Sequence, residues 1–143
     1  MDTRKGPRPS TRPRIPHQQL SQNAPAHLQE ELWRRMAALD GVTTGPSGIS
    51  LPDTRALHLT HEPVSEVFLI GREFAHLHGA ADGSLHMVLS PGDTEAAIAA
   101  GWAERHPVAP SVIMVYGPRD DQELETVWRL VERSYAYVAE PAT

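Results

Sequence analysis

Apolar residues recur along this chain with two different periods, and each change of period marks an element. Leu28, Leu32, Met36 and Leu39 fall at helical spacing. They predict a first helix starting at Asn23 or Ala24, with Asn23 as cap, Pro25 in the first turn and Gly41 as the stop. Residues 42–44 and 48–51 read as short strands broken by Gly45-Pro46, and residues 55–60 alternate as a half-buried strand. His58 and His61 fall on the polar phase there and read as surface residues.

Residues 65–78 are too long for one average strand. The apolar run at residues 67–70 predicts a central strand covered on both faces, and Gly71 a bend or bulge. After it, period two puts Phe74, His76 and His78 on one face and Glu73, Ala75 and Leu77 on the other. Residues 79–83 are a turn, and residues 84–89 return antiparallel. Pairing His78 with Leu85 would put His86 on the opposite face, and a shift of one residue would bring it to the same face. A second helix follows, capped by Ser90 with Pro91 at its first position and stopped by Gly101. Residues 102–107 read as a loop and residues 111–116 as a buried strand. A last helix is capped by Asp120 or Asp121 and buries Leu124, Val127, Trp128, Val131, Tyr135 and Val138, with Glu125 and Arg129 paired on its solvent side.

This order predicts an α+β fold: a mainly antiparallel sheet of about five strands with three helices packed on one face. Residues 23–143 make a single α+β domain. Residues 1–22, with four prolines among charged and polar residues, are expected to be a disordered basic tail.

Composition narrows the classes. There is no cysteine, so thiolate metal sites, disulfides and cysteine nucleophiles are excluded. No apolar run approaches the ~20 residues of a membrane span, and the basic N-terminus has no apolar segment of the secretory kind. No membrane partner and a cytoplasmic location are therefore expected. The net charge is −5, but residues 1–16 carry +4, leaving −9 for the remainder. An acidic body repels phosphate backbones, so no nucleic-acid partner is expected. Oligomerisation is left open.

The candidate chemistry is histidine chemistry. His76, His78, His86 and His106 are the candidates, with Glu73 and Glu104 as possible partners. As metal ligands, two imidazoles of a His-x-His pair point one way, and His86 would be the third ligand of a divalent ion. As acid and base, the same rings beside Phe74, Trp102 and Tyr116 could bind a mostly apolar molecule and move protons on it. As a hydrolase, Ser84 would need a partner in His86, but there is no nucleophile elbow. As structural residues, the rings would satisfy strand ends and loop carbonyls. There is no P-loop and no dinucleotide fingerprint.

The blocks 73–78, 82–86, 101–107 and 114–120 resemble the small bacterial and fungal proteins known as luciferase-domain proteins, some of them called phospholipase-like. The resemblance covers roughly residues 63–139. It implies His76, His78, His86 and His106 as motif positions, with Glu73 and Trp102 beside them, and a small-molecule tailoring role in natural-product pathways. The chain departs from the pattern at Gly79, where proline is expected, and in a short loop after Pro107.

The resulting expectation is a small, cofactor-free enzyme acting on a largely apolar small-molecule substrate by proton transfer: a cyclisation, isomerisation or elimination. His76 and His78 would be acid and base, with His86 and His106 supporting. Glu73 would orient an imidazole if a strand bend brought it near, and Phe74, Trp102 and Tyr116 would line the substrate site. A metal-dependent enzyme using His76, His78 and His86 is the first alternative, and a non-catalytic binding module the second.

Overall fold

The computed structural model describes residues 1–62 and 68–139. The chain runs α1 (Ala26–Ala37), β1 (Val42–Pro46), β2 (Arg55–Leu59), β3 (Glu73–Leu77), β4 (Leu85–Val88), α2 (Pro91–Ala99), β5 (Ala103–Arg105), β6 (Val112–Val115) and α3 (Asp121–Ala139). The strands form one six-stranded sheet in the order β1-β2-β3-β4-β6-β5, antiparallel at every step. This is the expected α+β architecture with one more strand.

Leu57, Leu77, Leu85, Met87, Ile113 and Val115 point to one face of the sheet, where they join Leu28, Leu32 and Met36 of α1, Ala97 of α2 and Leu124, Val127, Leu130 and Val131 of α3. Full burial of each large apolar side chain there contributes roughly 1.5–3 kcal/mol. Ser134 Oγ ties α3 to the sheet by donating to the Val88 carbonyl at 2.6 Å. Ser90 caps α2, accepting from Asp93 N at 3.2 Å. Among the described residues no helix is long and apolar enough to cross a membrane.

Several local expectations are corrected. Helix α1 starts at Ala26 without a side-chain cap, because the Asn23 amide is used elsewhere, donating to the Gln19 and Asp82 carbonyls. Residues 48–51 form a loop, while β1 continues through Gly45-Pro46. Of the central strand expected at residues 67–70, Val67 lies outside the described residues. Phe68 and Leu69 are not in a strand, and Leu69 N bonds Glu73 O while Glu73 N bonds Ile70 O, a tight turn into β3. The loop expected at residues 102–107 contains the edge strand β5. Glu125 reaches Arg35 of α1 at 2.8 Å in the ion pair the structure forms there.

The largest correction concerns residues 1–22. They contain no regular element but are not a detached tail: Arg4, His17 and Gln19 are buried. Arg4 N bonds Ala100 O, and the Trp102 indole donates to Asp2 O. Arg12 N bonds Gln18 O and Leu20 N bonds Ser10 O, pinching residues 10–20 into a loop. Gln19 clamps that loop, its N donating to Asp82 and its Oε1 accepting from Gly117 N. A composition argument counts apolar burial, and this segment is held by polar anchors instead.

Candidate functional site

The site grows from the face of the sheet opposite the helices. Cross-strand pairs share a face, and the register pairs Ala56 with His76, His76 with His86, His86 with Met114 and Met114 with Glu104. One row across the sheet therefore carries His76, His86 and Glu104. His78 N bonds Ser84 O at 2.9 Å, continuing the register. His86 thus shares its face with His76 and His78, the arrangement the sequence left open.

A bulge completes the row. Leu57 pairs with Ala75, but His58 pairs with Glu73, so Phe74 is the extra residue. Phe74 turns to the helix side against Tyr135, with ring centroids 6.1 Å apart. Glu73 is thrown to the histidine side, and its Oε2 lies 2.7 Å from His76 Nδ1. Period two alone predicts the reverse for both residues.

Three fixed acceptors then set every tautomer. Glu73 accepts from Ser47 Oγ, Gly48 N and His76 Nδ1–H. That leaves His76 Nε2 with a lone pair. The Ser84 hydroxyl donates to Asp82 Oδ1 at 2.5 Å, so its oxygen accepts from His78 Nδ1–H at 2.9 Å. His78 Nε2 is likewise left with a lone pair. Glu104 accepts from Arg8, Thr11, Tyr116 and His17 Nε2–H. His17 Nδ1 then accepts from His86 Nε2–H at 2.8 Å, and His86 Nδ1 carries the third lone pair.

These three lone pairs converge. His76 Nε2 is 3.2 Å from His78 Nε2 and 3.1 Å from His86 Nδ1, and the three ligand atoms lie within 4.8 Å of one another. With every imidazole neutral there is no hydrogen between them. Tetrahedral coordination at 2.0–2.1 Å places ligand nitrogens about 3.3 Å apart, so the spacing fits a single bound cation. Each ring is also backed, directly or through one residue, by a carboxylate, the outer-shell pattern of metal-bound histidine.

The electrostatics agree. Burial, then the neighbouring His76 and His17, lowers His78 to about 3. Burial and the other histidines hold His86 well below its usual value. Burial pushes Glu73 up, but the hydrogen bonds from His76, Gly48 and Ser47 outweigh it and the net shift is downward. Burial likewise raises Glu104, and the bonds from His17, Arg8, Tyr116 and Thr11 outweigh it, holding the group at about 2. For Asp82 burial dominates and the shift is upward.

His17, His86 and His106 form a second group of candidate ligands. It differs in its protons. His106 Nδ1 accepts from Val108 N at 3.1 Å and Ala109 N at 3.2 Å, so neutral His106 carries its proton on Nε2. That ring is a donor, and the facing nitrogens of His17 and His86 already share a proton. The second group is linked as a hydrogen-bond array, whereas the first turns three ring nitrogens toward one another.

The histidines line a cavity of about 360 Å³ walled by Ile15, Pro16, Ile49, Leu51, Leu69, Val108, Ala109 and Val112. Gln18 and Ser50 also line it, and among the described residues no Asp, Glu, Lys or Arg does. His76, His78, His86 and His106 are thus brought together as expected, with Glu73 behind them. The aromatic residues expected to line a substrate site are not at this cavity. Phe74 is on the helix face, turned there by the bulge. The Trp102 indole is bonded to Asp2 O. Tyr116 bonds Arg8 and Glu104 and lines a separate cleft with Arg4 and Arg105. Ser84 is fully buried with its hydrogen committed to Asp82, which makes it a bridge rather than a nucleophile. His17 and Asp82 were missed. A lone histidine among prolines and glutamines carries no periodic signal, and Asp82-Gly83 reads as turn chemistry.

The comparisons with known proteins fall on this region. Residues 71–134 match the sequence model of the family described as Luciferase domain, so the resemblance read from the sequence blocks holds. Proteins named luciferase from Armillaria ostoyae, Armillaria gallica and Neonothopanus nambi are similar over 75 residues, at 38%, 36% and 36% identity. Each match covers 47% of this chain and 28% of the fungal protein. No solved structure matches. The matched region holds Glu73, His76, His78, Asp82, His86, Glu104 and His106; His17 lies outside it.

Proposed function

We propose that this chain binds one divalent metal ion at His76, His78 and His86 and uses it on a largely apolar small molecule held in the adjoining cavity. The observation that carries the proposal is the convergence of three ring nitrogens, two of the separations being 3.1 and 3.2 Å, each ring backed at its other nitrogen, directly or through one residue, by an acidic group. Imidazole sets of this kind suit zinc, iron, cobalt, nickel or copper. Three ligands leave coordination positions open toward the cavity.

The name luciferase, carried by the fungal relatives, denotes an enzyme and favours a catalytic use of the same histidines here. When bound, such an ion polarises an oxygen of the substrate. The largely apolar walls, with no charged residue among those described, favour a neutral molecule. His106, with its proton on Nε2, is placed to donate to a second polar group. The reaction class is proton transfer beside the held oxygen (a cyclisation, isomerisation or elimination) of the kind used to tailor natural products. A metal-free use of His78 as acid or base is disfavoured by its surroundings. A ring held at about 3, as His78 is, has no proton to give near neutrality and is a weak base.

The test is elemental analysis of untagged protein, before and after chelation and after reloading with zinc, cobalt, iron(II), nickel or copper. About one equivalent per chain is expected, with thermal stabilisation that rises with free metal. Absence of binding for all five ions, with a melting temperature indifferent to metal and chelator, overturns the proposal.

A further inference from the structure

The three rings of the proposed centre are supported unequally. His76 has its carboxylate three residues away on the same strand, and His78 reaches Asp82 through Ser84 within its own hairpin. His86 has no acidic neighbour in its own hairpin: its cross-strand partners are His76 and Met114. The nearest carboxylate in that row, Glu104, lies two strands away on β5. His17 fills the gap, 2.8 Å from His86 Nε2 and 2.9 Å from Glu104 Oε2.

We propose that His17, carried by the loop of residues 10–20, is a positioning residue of the metal centre: with Glu104 it fixes which nitrogen of His86 is free for the ion. This rests on the metal reading above. Removing the His17 ring leaves His86 Nε2–H buried with no acceptor in place. An unsatisfied buried donor is costly, and a ring without its outer partner can turn or change tautomer. Either change takes the third lone pair off the site.

The loop is built to deliver this contact. It is pinched at Ser10/Leu20 and Arg12/Gln18, and Gln19 fixes its return limb to Asp82 and Gly117. Thr11 on the outgoing limb bonds the same Glu104 that holds His17. Ile15 and Pro16, just before His17, wall the cavity. One loop thus supports a ligand and encloses the ligand space. It lies outside residues 71–134, so the region shared with the luciferase-domain family does not contain the whole centre.

The experiment compares the full chain with its His17→Ala, His17→Gln and Glu104→Gln variants. Cobalt(II) and zinc affinities are measured by competition with a chelator, and the cobalt(II) absorption spectrum is recorded beside circular dichroism. His17→Ala is expected to weaken metal binding about 10- to 100-fold and to alter the cobalt spectrum while leaving the circular dichroism unchanged. His17→Gln offers an amide oxygen to His86 and an amide hydrogen to Glu104, and it is expected to recover much of the affinity. By reciprocity, metal is expected to slow tryptic cleavage after Arg14 in the parent and not in His17→Ala. A parent that binds no metal overturns the metal reading itself. A parent that binds metal with an affinity and spectrum shared by His17→Ala overturns this inference alone. If His17→Ala does not fold, unchanged affinity in Glu104→Gln overturns it instead.

Discussion

The β3–β4 hairpin and the loop of residues 10–20 meet at His86, and they are held in place by different forces. The hairpin is fixed twice, by its hydrogen-bond ladder and by Leu77, Leu85 and Met87, which are fully buried on the helix face. A strand anchored that way can carry buried histidines on its other face without further support. The loop has no such core. It is held by Thr11, and by Arg8 just before the loop, on Glu104 and by Gln19 on Asp82 and Gly117. The hairpin should therefore set whether the centre exists, and the loop how tightly it is tuned.

The contrast is broken most directly by truncating a hairpin ligand. On the proposed reading, His78→Ala should abolish turnover and lower metal affinity by orders of magnitude while moving the melting temperature of the metal-free protein little, because Leu77 and Leu85 keep the hairpin in place. Elemental analysis beside a thermal scan checks this. Retained metal with full activity would remove His78 from the site.

The next effect in size is acid lability of the metal-free protein. The fold holds His78 at about 3 and His86 well below its usual value. Below pH ~6.5 the unfolded chain therefore binds protons that the native chain refuses, and stability falls as pH drops. Each such ring takes away about 1.4 kcal/mol per pH unit, down to its folded pKa. Glu104, held at about 2, adds a second loss below pH ~4.5, since its stabilisation is present above the unfolded value and vanishes as pH falls through the folded one. Urea titrations at a series of pH values should show a decline that starts near 6 and steepens below 4.5, with the upper part flattened in His78→Gln.

A smaller effect tests the hairpin's own support. Glu73→Gln keeps the volume but offers His76 an amide that can turn its donor toward the ring. Metal affinity should fall about 10- to 100-fold with an unchanged sheet. An affinity equal to the parent's would mean that ladder and core alone orient His76.

Much of this fold was legible because its elements have clean periods. The three helices, the hairpin and β6 follow from apolar spacing, and Ser90-Pro91 marks the start of α2. The four histidines of the family blocks were found, and so was the shared face of His76 and His78. The rest was hidden for identifiable reasons. A bulge at Phe74 leaves no trace in composition, yet it exchanges Phe74 and Glu73 between faces. The register that seats His86 depends on the length of the turn at residues 79–83. Strand β5 has only three residues, too few for a period. The loop of residues 10–20 is held by long-range polar contacts, which sequence spacing does not encode.

The smallest effect sharpens the comparison most. Arg8 bonds both Glu104 and Tyr116, but its side chain is 64% exposed. Exposed ion pairs contribute about 0–1 kcal/mol. Glu104 also keeps His17, Thr11 and Tyr116 as donors when Arg8 is removed. Arg8→Ala should therefore cost no more than about 1 kcal/mol in urea unfolding and leave metal affinity within about twofold of the parent. His17 would then be the contact through which the loop acts on the centre, and the rest of the loop its scaffold. If Arg8→Ala instead weakened metal binding as far as Glu73→Gln does, the loop would be as integral to the centre as the hairpin. The difference between ladder-held and anchor-held regions would then not extend to the site.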